Sequence, residues 1–334
     1  MKAVNLYGPG DVRVDDIETP APGAADVVIR IAACGICGTD LTMVRDGSRR
    51  DGATPLGHEA AGVVVEAGPA AKGVRAGQRV AINPMGEITN VIGNGGTEGA
   101  FADYLLVRDA ELGRNLIELP GNLPMSIAAA AEPLGVGLHA VNRSGAKPGE
   151  KVVVFGVGPI GLGAVLWLKD KGVDDIVAVD LSPERLALAE RYGAKTLVRA
   201  DKDDLAETLY AVHGREYVLG ALCAGTDAYI DAAGAASIVS TVIGLSKLHA
   251  RLVVPAVYRE PVPIHFGQML SKELSITTSI GYPDEFGWVV ARLGQDPDHF
   301  ADYITHRFPF NRFHEAFTQA GQREAGKVMV EFDA

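Results

Sequence analysis

The segment Gly156-Val-Gly158-Pro-Ile-Gly161, set between the apolar run Val152–Phe155 and a helix-forming stretch, constrains the fold more than any other part of the chain. A tight strand-to-helix turn favours a residue free to take positive φ, which Gly156 supplies. Gly158 lets a pyrophosphate approach bare backbone, and Gly161 lets the helix pack close to the strand. The helix N-terminus adds free N–H groups and a positive field. Pro159 has no N–H, so Ile160 and its neighbours are the donors. Asp180 follows Gly161 by 19 residues, at the end of a second apolar run, Ile176–Asp180. A carboxylate there accepts hydrogen bonds from an adenosine ribose and repels a 2′-phosphate, so the pattern points to NAD.

Around this motif, from Lys151 onward, strand and helix patterns alternate, as in a parallel sheet wrapped by helices. The expected strands are Val152–Phe155, Ile176–Asp180, Thr196–Arg199, Ala228–Ala232, Arg251–Ala256 and Leu274–Ser279. The helix after the second is delimited by Ser182 as N-cap, Pro183 at its first position and Gly193 beyond its end. The first 110 residues read instead as short β segments between glycine-rich turns, at Val27–Ala33, Gly62–Glu66, Arg79–Ile82 and Phe101–Val107. After about residue 295 the alternation stops, and a final strand is expected at Lys327–Phe332, returning to the first domain.

With 334 residues, two domains are expected. The net charge of −11, with no basic run beyond Arg49-Arg50, argues against nucleic acid and anionic membranes as partners. The uncharged run Val152–Leu168 holds four glycines and Pro159, which suit a buried strand, turn and helix better than a membrane span. No signal-peptide core precedes Gly8 and Pro9, and three cysteines are too few for a disulfide framework. A cytoplasmic location is expected.

Those cysteines pose the second question. Cys34-Gly-Ile-Cys37 lacks the partner pair of a zinc ribbon, and it lacks the βαβ context of a redox motif. A third reading joins one thiolate to His58 and Glu132, a mixed sulfur, nitrogen and oxygen set suited to a catalytic zinc. In Gly57-His58-Glu59 an extended chain would point the two side chains to opposite faces, so both ligate only with a local kink. Glu132 precedes Pro133, which disfavours helix at Glu132 and can itself start one. Each residue also has a plainer role open to it: Cys37 as a buried thiol, His58 as a core histidine, Glu132 as a cap.

Taken together, CGICGTDL at 34–41, GHE at 57–59, EGAFADY at 98–104, EPLGVGLHAV at 132–141 and SGAKPGEKVVVFGVGPIGL at 144–162 resemble the medium-chain zinc alcohol dehydrogenase superfamily. The likeness extends through REPVPIHF, SIGYPDEF and GKVMVEF, and is greatest to the polyol, threonine and 2,3-butanediol dehydrogenase branch. The resemblance implies an α/β architecture. A β-rich GroES-like catalytic domain, residues 1–140 and 295–334, is interrupted by a Rossmann NAD-binding domain with a doubly wound parallel sheet, residues 141–294, and the active site lies in the cleft between them. It implies Cys37 rather than Cys34 as zinc ligand, then His58, then Glu132, with Glu59 as an exchangeable carboxylate. Asp40 is expected to accept from the second imidazole nitrogen of His58, Thr39 to relay the proton, and Arg185 to join the cofactor contacts.

The activity implied is hydride transfer between a secondary alcohol (a diol, polyol or amino alcohol) and NAD, in a homodimer or homotetramer. Two departures stand out. Relatives with a structural zinc carry four cysteines in the segment that here runs from Asn83 to Gly99, where this chain has none, so one catalytic zinc and no structural zinc are expected. Many relatives also have a histidine at Thr42, which does not titrate near neutrality. The alternatives are a zinc-free quinone or enoyl reductase of the same fold, which would lack Cys37, His58 and Glu132, and a catalytically silent NAD-binding protein. Met43, Arg45, Phe101, Tyr258 and Tyr282 are candidates for the substrate pocket.

Overall fold

The computed structural model describes residues 1–48, 50, 52–86 and 91–333. The chain divides into two compact units, Met1–Glu132 with Asp284–Ala334, and Pro133–Pro283.

The first unit is built on a sheet in the order Ile304–Pro309, Lys327–Glu331, Val27–Gly35, Glu59–Ala67, Arg79–Ile82, Leu116–Glu118, with Tyr104–Val107 also paired to Val27–Gly35. A smaller sheet joins Asp11–Asp16, Lys2–Gly8 and Thr54–Pro55. Val27–Gly35 is the central strand, and Val27, Ile29 and Ile31 are fully buried. Burial of such side chains stabilises by about 1.5–3 kcal/mol each. The terminal strand Lys327–Glu331 pairs antiparallel with Ala33–Gly35, bringing Lys327 close to the end of the central strand.

The second unit holds six parallel strands, in sequence order Lys151–Phe155, Asp175–Asp180, Thr196–Arg199, Ala228–Asp231, Arg251–Val254 and Ser275–Thr278. Their spatial order is third, second, first, fourth, fifth, sixth, the doubly wound arrangement expected. Val152–Val154 are buried completely because both sheet faces are covered, which is why the run reads as continuously apolar. Helix Pro159–Asp170 buries Gly161 through Leu168, accounting for the rest of the uncharged stretch. No helix among the described residues is long and apolar enough to cross a membrane. Helix Pro183–Arg191 begins where the cap residues place it, Ser182 accepting from the Arg185 N–H at 3.2 Å.

Several elements carried no sequence expectation, among them the strands Lys2–Gly8, Asp11–Asp16, Leu116–Glu118 and Ile304–Pro309. Between the third and fourth strands of the second unit a hairpin, Arg215–Val218 with Ala221–Ala224, forms its own two-stranded sheet. Its turn places Leu219 at φ 49° and Gly220 at φ 82°, the two positive values a tight two-residue hairpin needs.

Candidate active site

Helix Gly38–Asp46 begins directly after the central strand, with Cys37 as its N-cap residue. Its sulfur sits at the positive end of that helix. Gly57, at φ 89°, turns the chain immediately before Glu59–Ala67, so His58 sits on the bend and Glu59 on the first strand position. That bend resolves the alternation problem. Cys37 Sγ, a His58 ring nitrogen and a Glu59 carboxylate oxygen lie within 4.8 Å of one another, the one such group of three among the described residues. Cys34 lies apart from it, fully buried, its thiol pushed well up by burial.

Asp40 ties this arrangement together from a fully buried position. One carboxylate oxygen accepts from the Cys37 N–H at 2.9 Å and the other from the Gly57 N–H at 3.2 Å. Its oxygen stands 3.8 Å from His58 Nδ1, an ionic contact longer than the hydrogen bond expected, because the carboxylate is directed at the two backbone donors. Burial raises the Asp40 pKa, against the pull of His58 and of those N–H groups. Burial disfavours the His58 cation, yet Asp40, then Cys37 and Glu132, outweigh it and hold the imidazole well above its ordinary pKa. A histidine so surrounded by anions is arranged for a cation, either a proton or a metal. Three converging donors of sulfur, nitrogen and oxygen fit zinc, whose bonds to such atoms are about 2.0–2.3 Å.

Glu59 has a second partner that sequence reasoning missed. Lys327 Nζ donates to both Glu59 oxygens, at 2.7 and 2.6 Å, and to the Ile36 carbonyl at 2.9 Å. Both residues are shut off from solvent, Glu59 at 0% and Lys327 at 1% exposure. Burial lowers the Lys327 pKa, but Glu59, Cys37 and Glu132 together raise it above the ordinary lysine value. Gly35 completes this niche: a Cβ on it would come within 2.0 Å of the Glu59 carboxylate. The only sequence clue to Lys327 was a lysine opening an otherwise apolar strand, and Gly35 reads simply as part of the Cys34–Cys37 turn.

Glu132 lies in the first turn of helix Ala131–Ser144, 7% exposed, within electrostatic reach of His58 and Lys327 but outside the group of three. The helix begins two residues before Pro133, which is tolerated because a proline in the first turn forfeits only an N–H with no intrahelical partner. The Cys37 thiol donates to Thr39 Oγ1 at 3.6 Å, and Thr39 is exposed. Of the pocket candidates, Phe101 belongs to the core, edge-on to Phe313 at 5.0 Å. Met43 packs on that core, and Arg45 pairs with Asp46 at the surface. Tyr282 is buried, and a Cβ on Gly135 would meet it at 3.0 Å. Of the segment Asn83–Gly99, residues 87–90 lie outside the described residues.

In the second unit Gly156 takes φ 74°, and a Cβ there would meet Ala233 at 2.8 Å. On Gly161 it would meet the Gly156 carbonyl at 1.8 Å, so both glycines are sterically required. Gly158 is the N-cap of helix Pro159–Asp170, and Arg185 comes to 3.4 Å from where its Cβ would be. Asp180 accepts from Val157 N–H and Ser182 N–H, both at 2.8 Å, which locks the loop to the second strand. A carboxylate has about four lone-pair sites, so two remain for ribose hydroxyls.

Comparison with known proteins agrees with this geometry. The alcohol dehydrogenase GroES-like domain matches residues 23–120, and the zinc-binding dehydrogenase domain matches residues 159–295. Sorbitol dehydrogenase of Rattus norvegicus is 30% identical over 98% of this chain and 95% of its own. The crystal structure of 2R,3R-butanediol dehydrogenase from Bacillus subtilis is 28% identical, covers 99% of both chains and superposes with a TM-score of 0.86. A structure from Sinorhizobium meliloti 1021, assigned to the zinc-binding dehydrogenases and bound to NADP, is 27% identical over 99% of this chain and 98% of its own, with a TM-score of 0.86. The chain therefore belongs to the medium-chain, zinc-binding alcohol dehydrogenase family, and it is an oxidoreductase of that family.

Proposed function

We propose that the chain oxidises a secondary alcohol bearing an adjacent oxygen or nitrogen, a diol, polyol or amino alcohol, with NAD as acceptor and one catalytic zinc. The observation that carries this reading is the Cys37, His58 and Glu59 group, with Thr39 beside its sulfur. Cys37 and His58 would hold the ion, Glu132 would be the third ligand, and Glu59 an exchangeable one shared with Lys327. When bound, zinc would supply Lewis acidity at the substrate hydroxyl and the nicotinamide would supply the hydride acceptor. Thr39 takes the hydroxyl proton. Asp40 keeps the Cys37 and His58 segments in register. Glu132 offers an oxygen partner to a second polar group on the substrate, which favours vicinal substituents over plain alcohols. In a screen of diols, polyols, threonine and simple alcohols, secondary alcohols with a neighbouring oxygen or nitrogen are expected to show the higher kcat/KM, and ethanol a poor one. Preference for long primary alcohols over every vicinal diol would overturn the assignment.

Asp180 supports NAD over NADP, since a 2′-phosphate would meet its charge. Asp180→Ala is expected to weaken NAD binding about ten- to hundredfold, from lost charge-assisted hydrogen bonds of about 1.5–3 kcal/mol, and to weaken NADP binding much less. Efficient turnover of NADP by the unaltered enzyme would refute this role. Arg185, close to Gly158, would face the pyrophosphate.

A cysteine-free Asn83–Gly99 supports a single zinc without a structural one. Edge strand Ser275–Thr278, with Phe266, Leu270 and Ile280 between 73% and 82% exposed nearby in sequence, supports a homodimer or homotetramer. Three unpaired cysteines support a cytoplasmic location, and the acidic charge leaves nucleic acid and membranes as poor partners.

A further inference from the structure

The carboxyl end of the fourth strand carries a network that the reading above does not use. Asp231, fully buried, accepts from the Ala233 N–H at 3.0 Å and the Gly234 N–H at 2.9 Å through one oxygen. Its other oxygen accepts from the Tyr258 hydroxyl, and the Ala235 carbonyl lies 3.2 Å from that same hydroxyl. Tyr258 thus reaches both ends of the Ala232–Ala235 turn. That turn is also tied to the first strand, Ala232 N–H donating to the Phe155 carbonyl at 2.8 Å. It lies so close to the dinucleotide loop that a Cβ on Gly156 would meet Ala233 at 2.8–2.9 Å.

Strand order gives the turn its meaning. The direction of winding reverses between the first and fourth strands, and a ligand of a doubly wound sheet lies across the carboxyl ends at that point. With Asp180 at the end of the second strand taking the adenosine ribose, the rest of the dinucleotide extends over the fourth. We propose that Tyr258 is a positioning residue for the cofactor: acting through Asp231, its hydroxyl fixes the Ala232–Ala235 turn against which the nicotinamide half is seated. The proposal rests on the dinucleotide reading above.

The test compares Tyr258→Phe with the unaltered enzyme, measuring NAD, NADH and AMP binding by calorimetry or fluorescence, and amide hydrogen exchange without ligand. The variant removes one hydroxyl and keeps the ring. The Kd for NAD and NADH is expected to rise about tenfold, in the range of one lost hydrogen bond to a charged acceptor. AMP, which reaches only the Asp180 side, is expected to bind within about twofold of normal, and Ala233 and Gly234 to exchange faster. NAD affinity within twofold of the unaltered enzyme overturns the proposal. So does parallel weakening of NAD and AMP, which would mark a general structural role. Failure of the unaltered enzyme to bind NAD at all would instead sink the dinucleotide reading beneath it.

Discussion

Cys37→Ala is expected to lose both its zinc and its turnover. The substitution deletes the only sulfur of the donor group and leaves His58 and the carboxylates to hold the ion without a thiolate. Losing a residue that merely orients a ligand costs about 10- to 100-fold in metal affinity or activity. Loss of the thiolate itself is expected to exceed that range. Atomic absorption on the purified variant should therefore show little zinc, and alcohol-dependent NADH formation should fall to background. Cys34→Ala is the control, since Cys34 lies fully buried outside the group, and trimming it is expected to cost stability while leaving metal content intact. The glutamates divide the remaining question. If Glu132 is an inner ligand, Glu132→Ala lowers zinc content sharply; if it acts through water, zinc stays and kcat falls. The same comparison on Glu59→Ala decides which carboxylate is exchangeable. Two firmly bound zincs per chain, or full activity after complete chelation, would overturn the site.

The parts of this molecule legible in its sequence are those set by short-range rules. Gly156, Gly158 and Gly161 stand out because a turn, a phosphate approach and a helix contact each demand a missing side chain within six residues. The cap formed by Ser182 and Pro183 is equally local, and the apolar runs of the four inner strands stand out because burial on both faces leaves no alternation to confuse. What stayed hidden depends on distance along the chain. Lys327 meets Glu59 across 268 residues, and no periodicity marks a lysine whose charge is neutralised by a strand so far away. The bend at Gly57 decides whether His58 and Glu59 converge, and it comes from close packing against Phe101, where a Cβ would meet the ring at 2.7 Å. The hairpin at Arg215–Ala224 escaped because its turn uses Leu219-Gly220 rather than the asparagine or aspartate that usually announces such turns. The long Asp40–His58 contact likewise followed from which backbone donors the carboxylate meets, a fact of tertiary packing.

Lys327→Met is expected to make the metal-free protein markedly less stable, and zinc is expected to restore much of the loss. Methionine keeps most of the apolar stem that lysine buries, so the change chiefly removes charge and its three hydrogen bonds. Glu59 is then left without its hydrogen-bonded counter-ion in a position closed to water. Breaking a buried pair in this way typically costs about 3–5 kcal/mol, much of it the desolvation of the abandoned partner. Glu59 has one other cation to turn to, because its carboxylate already lies within 4.8 Å of Cys37 Sγ and a His58 nitrogen. A ligand that binds only the native state stabilises it in proportion to the logarithm of its concentration over Kd. Freed from Lys327, Glu59 becomes a better zinc ligand, so zinc should raise the denaturation midpoint of the variant by more than that of the unaltered protein. The double variant Glu59→Gln, Lys327→Met removes both charges. It is expected to recover stability without zinc relative to Lys327→Met alone, and to lose the extra zinc response. Denaturant unfolding with chelator and with excess zinc measures all three proteins. Equal stabilisation by zinc in the single variant and the unaltered protein would mean that Glu59 stays out of the coordination sphere, leaving Lys327 a structural counter-ion only.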